Sequence, residues 1–179
     1  MFKKYIKILF ISSLVSLWSF GSQAEDWIMA SGYAKSNFHT QNIIKFIDEV
    51  KSTTSININL NPNDTLIKID AIKSSLQRGQ IPIGEIRLGI YGNEDPMYVL
   101  AGMPFIAPDY ASGWLLKDIQ MDYLQERFAK KGLMILYTTP WPGQGFYTKF
   151  PVNKVSDFKG KKLRIYSTAT QEMGSMLGF

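Results

Sequence analysis

Two stretches decide the architecture: Asp26-Trp27-Ile28-Met29-Ala30-Ser31-Gly32, and Ser55-Ile56-Asn57-Ile58-Asn59-Leu60-Asn61. The second alternates apolar and polar residues, the period of a half-buried strand. The first reads as an opening strand and its exit. Between them Ile43, Ile44, Phe46, Ile47 and Val50 recur at helical spacing, with Lys45, Asp48, Glu49 and Lys51 facing out. Asn37 or Thr40 can cap that helix. A strand, a helix and a second strand in succession imply an α/β architecture with a largely parallel sheet.

The pattern continues beyond Pro62-Asn63-Asp64, a turn. Leu66, Ile69, Ile72 and Leu76 mark a second helix, closed by Gly79. Ile81, Ile83 and residues 86–90 read as a third strand, and Gly84, Gly89 and Gly92 suggest backbone passing close to something. Residues 97–100 read as a short helix or turn. Trp114, Leu115, Ile119, Tyr123, Leu124 and Phe128 build a long amphipathic helix, with Trp114 expected in the core. Residues 133–138, 146–148 and 163–165 read as further strands. Ser167, Thr168 and Thr170 offer cap oxygens to a last helix carrying Glu172, Met173, Met176 and Leu177.

The first residues point to export. Lys3, Lys4 and Lys7 precede an apolar run, and Ser22-Gln23-Ala24 places small residues before Glu25. This is the pattern of a signal peptide at 1–24, cleaved after Ala24, with the mature chain in the periplasm. Losing three lysines leaves 17 basic against 15 acidic residues. That balance is no nucleic-acid footprint. An exported chain with no cysteine has no disulfide framework, so about 155 residues must be held by a packed core.

Ligands of open α/β sheets bind at the carboxyl ends of strands. Those ends hold Asn37 and His39, Leu66, Glu85, Trp141 and Gln144, and Arg164, Tyr166 and Thr168. Arg164 lies on an expected strand just ahead of a helix N-terminus, and both features favour anions. A structural ion pair is the other reading of Arg164. Trp141, between two prolines, is either a packing knot or an aromatic wall for a ligand. His39 is the sole histidine, which rules out Cys/His zinc sites. A hydrolase would have to use it, without a Gly-x-Ser-x-Gly elbow. No Walker A or dinucleotide fingerprint occurs, so no cofactor is expected.

The chain resembles the substrate-binding subunit of tripartite ATP-independent periplasmic (TRAP) transporters, the DctP-like family. The resemblance rests on Asn37-Phe38-His39-Thr40, Pro62-Asn63 with Leu66 and Lys68, residues 80–84, Asn93-Glu94-Asp95-Pro96, Pro104-Phe105 and Pro140-Trp141-Pro142. Its most specific string is Val155-x-Asp157-x-Lys159-Gly160-x-Lys162-x-Arg164. It implies a periplasmic-binding-protein-like bilobal fold closing on a small organic anion, handed to membrane permease subunits. The first lobe would span 25–140, nearly complete. Residues 141–179 would begin a second, truncated lobe, so that the chain is a fragment or shortened product. Arg164 would salt-bridge the ligand carboxylate. Gln144 stands where many relatives carry a second basic residue, and would instead donate to a hydroxyl or carbonyl. Trp141 and Tyr166 would offer flat apolar surface. The alternative is an exported α/β hydrolase-like enzyme using His39.

Overall fold

The computed structural model describes residues 25–179. The expected signal peptide at 1–24 lies outside the described residues. Three parallel strands form the sheet: β1 (Glu25–Ala30), β2 (Ile56–Asn61) and β3 (Ile83–Gly84), in the order β2-β1-β3. Glu25 pairs with Ile56 and Ala30 with Asn61 on one side, and Met29 pairs with Ile83 on the other.

Side chains of a strand alternate between faces, and the C-terminal end of β1 is covered on both. Met29 packs with Ile43, Ile58 and Ile83 under α1 (Phe38–Thr53), joined by Phe46, Ile47 and Val50. Ala30 packs on the opposite side with Ile72 and Ile81 under α2 (Ile72–Gln77). Helical crossovers cover a parallel sheet from both sides; here the cover is complete at the strand exits, while Asp26 and Ile28 stay exposed on the α2 side. Gly84 lets the second layer close up: a Cβ there would lie 2.6 Å from Ile72 Cγ2. Gly92 does the same against Val99 and Thr168.

A third cluster holds Tyr91, Tyr98, Leu124 and Phe128. It joins 3-10 turns at Leu88–Tyr91 and Pro96–Gly102 to α3 (Tyr110–Ala129). Two polar braces run through it. Lys73, only 1% exposed, pairs with Glu94 and sits 4.8 Å from the Tyr91 ring centre. Asp95 caps the second turn at Met97 N (3.0 Å) and accepts from Tyr123 Oη and Arg127 Nε, each at 2.7 Å. Each buried charge therefore has a partner, as burial requires. The Asn93-Glu94-Asp95-Pro96 motif is thus a bracing element.

Several sequence expectations are corrected. The second helix starts at Ile72, not Leu66, because Asn63 and Asp64 adopt left-handed φ of 60° and 57° and hold the preceding stretch as a loop. The third strand ends at Gly84, where its partner β1 ends, and the chain then coils into a 3-10 turn. Residues 133–138, 146–148 and 163–165 form no ladder, since no strand lies beside them among the described residues. Trp114 is 47% exposed, not core: α3 buries Gln120, Leu124 and Phe128, whereas Trp114, Leu115 and Ile119 meet no covering layer among the described residues. The last helix, α4 (Thr168–Leu177), forms as expected behind a Ser167 cap.

Ile72→Ala removes a fully buried side chain between helix and sheet and is expected to cost about 2–4 kcal/mol in chemical denaturation. Ile119→Ala, on the open side of α3, is expected to stay within about 0.5 kcal/mol. Equal losses would contradict this layering.

Candidate functional site

The exits of β1 and β3 lie side by side because the strands do. Glu85 N donates to Ala30 O (2.9 Å), which carries the pairing one step past the ladder. Ser31, fully buried, then donates its hydroxyl to Glu85 Oε2. Beyond Ser31 the chain turns through Tyr33 into Asn37, whose side chain accepts from His39 N (2.9 Å) and caps α1. Thr40 Oγ1 donates to Tyr33 O (3.3 Å), tying the loop back to the helix.

Trp141 closes over this loop. Its ring lies 4.4 Å from His39, 5.2 Å from Tyr33 and 5.2 Å from Phe38, centre to centre. Phe38 in turn lies 4.2 Å from His39. Edge-on contacts of this kind add stabilisation beyond the area they bury. Trp141 packs on this loop and remains 41% exposed.

Four polar atoms in the described residues are buried without a hydrogen-bond partner: Tyr33 Oη, His39 Nε2, Arg87 Nε and Thr138 Oγ1. At least three belong to one place. The Arg87 guanidinium and the Trp141 indole both face the Tyr33 hydroxyl without reaching hydrogen-bond geometry, and Glu85 lies close enough to act on the same phenol. Arg87 also stands 5.7 Å from the Tyr166 ring centre. Buried polar groups are normally paired. Several left open around one surface make this place an exception in the fold.

Burial pushes the Tyr33 phenol up, partly offset by the Arg87 charge. Burial raises the Glu85 carboxyl, partly offset by the Ser31 hydrogen bond. Burial lowers the His39 imidazole. No hydrogen bond joins the His39 ring to a serine or a carboxylate among the described residues, so the hydrolase alternative finds no triad. Among the described residues no group of three or more His, Cys, Asp or Glu side chains is placed to hold a metal ion.

Of the sequence candidates, His39, Trp141 and Glu85 come together around Tyr33, and Tyr166 joins through Arg87. Asn37 is used as a cap. Thr168 opens α4 beside Gly92. Leu66 is 46% exposed on the loop before α2. Gln144 is exposed and donates to Pro142 O (3.2 Å) within its own turn. Arg164 is exposed, with no ion pair or hydrogen bond among the described residues. The structural ion pair weighed for it is therefore not made there. Ser31, Tyr33 and Arg87 lie within the strand-end stretches 31–39 and 85–93 but were not singled out there, and Thr138 was missed.

The family model for bacterial extracellular solute-binding proteins, family 7 (DctP) matches residues 30–179. Among solved structures, the Bordetella pertussis extracytoplasmic solute receptor DctP6, binding pyroglutamic acid, is 37% identical with a TM-score of 0.83, over 86% of this chain and 52% of that one. DctP7 of the same organism, also binding pyroglutamic acid, is 36% identical at 0.83, over 87% and 52%. A marine metagenome TRAP solute-binding protein in complex with co-purified pyroglutamate is 37% identical at 0.83, over 87% and 52%. The chain thus spans about half the length of these receptors. A comparison with the curated proteins gave no match.

Because burial disfavours the His39 imidazolium, the unfolded chain takes up the proton first as pH falls below the ordinary 6.5. Stability is intact above that pH and declines as pH drops toward the lower folded value. His39→Gln is expected to flatten this part of the Tm-against-pH curve. Superimposable curves for both proteins would show that His39 carries no such linkage.

Proposed function

The chain belongs to family 7 of the bacterial extracellular solute-binding proteins, and on that premise we propose that it is the receptor of a TRAP transporter, capturing a small organic acid outside the cytoplasm and delivering it to membrane permease subunits. The observation that carries this reading is the set of unpaired polar groups gathered beneath Trp141 at the carboxyl ends of β1 and β3. That is where an α/β sheet receives ligands. Pyroglutamate is the first acid to test, because three receptors 36–37% identical to this chain bind it.

In this proposal residues 25–140 form most of one lobe, and the chain crosses to the other near Pro140. Residues 1–24 direct export and are removed. Arg164 anchors the ligand carboxylate: its guanidinium is uncommitted, and it stands just ahead of the α4 N-terminus, whose Ser167 and Thr170 form a reciprocal cap. A two-pronged hydrogen bond from arginine to a carboxylate is strong and directional. Trp141 and Tyr166 bound the apolar part of the ligand. The protein acts by binding and release, with no chemical step.

The test is calorimetric titration with pyroglutamate. Arg164→Ala is expected to weaken binding by about 2–3 kcal/mol, roughly 30- to 150-fold. Gln144→Ala, turned onto its own loop, is expected to change affinity less than about threefold. Undiminished affinity in Arg164→Ala would remove that residue from the site.

A further inference from the structure

We propose that Glu85 and Arg87 together select a ligand bearing a hydrogen-bond donor and acceptor side by side, the edge of a cis-amide such as a lactam, and reject acids with a second carboxylate. This deepens, and rests on, the organic-acid reading above.

The two residues leave β3 two positions apart, and both charges act on the Tyr33 phenol, which the Arg87 guanidinium faces. Opposite charges so placed would ordinarily satisfy each other. Here neither Glu85 nor Arg87 forms an ion pair among the described residues. Glu85 Oε2 is taken by Ser31, while Oε1 accepts no hydrogen bond among them. Arg87 Nε is buried and donates to nothing. Its guanidinium is steadied beside the Tyr166 ring instead. A buried guanidinium N–H left open is costly unless a ligand fills it, and Glu85, half-buried two residues away, keeps one oxygen free to accept.

The complementary group offers an N–H to Glu85 and a carbonyl to Arg87. A ring amide does this, because closure into the ring holds N–H and C=O on one edge, whereas the trans peptide points them apart. The pair is neutral overall, so the ligand carboxylate needs a separate cation, which Arg164 supplies. A dicarboxylate would set its second charge against Glu85, and like charges at close range disfavour ionisation. A site built to hydrogen-bond one donor discriminates strongly against the analogue that lacks it.

The experiment compares pyroglutamate with its lactone isostere, 5-oxotetrahydrofuran-2-carboxylate, which replaces the ring N–H by oxygen, by titration calorimetry on the purified protein. The wild type is expected to prefer the lactam by at least about 30-fold. Glu85→Gln is expected to narrow the preference to within about threefold, because an amide can turn its NH2 to the lactone oxygen. Arg87→Met is expected to weaken both acids. Equal wild-type affinity for the two acids would overturn the proposal while leaving the organic-acid reading intact, and needs no variant to fold. An unchanged lactam preference in Glu85→Gln would overturn it equally. Binding of neither acid to the wild type would overturn the lactam proposal as well, and the organic-acid reading falls only if uronates, aldonates and orotate also fail to bind.

Discussion

β1 is the middle strand of the sheet, and its C-terminal end is buried on both faces. Met29 is held by α1 and Ala30 by α2, while β2 and β3 pair with its two edges. Its exit is therefore among the best-determined points in the molecule. Ser31 inherits that position, and through its hydroxyl it orients Glu85 on the neighbouring exit. A binding group on a loop gains precision only from the rigid element that feeds the loop. Here two adjacent strands feed one place.

Charge is handled differently inside and at the site. In the body of the fold, Lys73 meets Glu94, and Asp95 meets Arg127 and Tyr123. Each buried ion is answered, and these pairs fasten α2 and α3 to the turns between them. At the exits of β1 and β3, Tyr33, His39 and Arg87 each carry a buried atom without a partner. The same chain therefore satisfies its polar groups where they serve structure and leaves them open where Trp141 overhangs. That contrast separates the candidate site from the core more sharply than any single residue does.

The fold was largely legible where the hydrophobic period was long. Ile43, Ile47 and Val50 announced α1, and the alternation of residues 56–61 announced β2. Ser167 and Thr170 announced the start of α4, and Gly84 was rightly read as a point of close approach. Reading failed where a residue's state depends on a neighbour. The apolar run 133–138 has the composition of a strand, but a strand exists only with a partner to bond. Trp114 and Ile119 match a helical stripe, yet a stripe is buried only if another layer lies on it. For the site, strand-end logic reached His39, Glu85 and Trp141; Tyr33 and Arg87 lie past the same strand ends, but position at an exit does not say which loop side chain folds inward.

The amino-acid sequence by itself determined the α/β class, the order of its principal elements, the lone histidine and the absence of cysteine chemistry. These follow from periodicity, capping and composition, which act over a few residues. Tertiary structure alone decided that Tyr33, His39, Glu85, Arg87 and Trp141 share one place, that Lys73 is buried on Glu94, and that Arg164 stands free of any partner among the described residues. Such outcomes depend on which exits a parallel sheet sets side by side. That is a matter of long-range packing, to which spacing along the chain is blind.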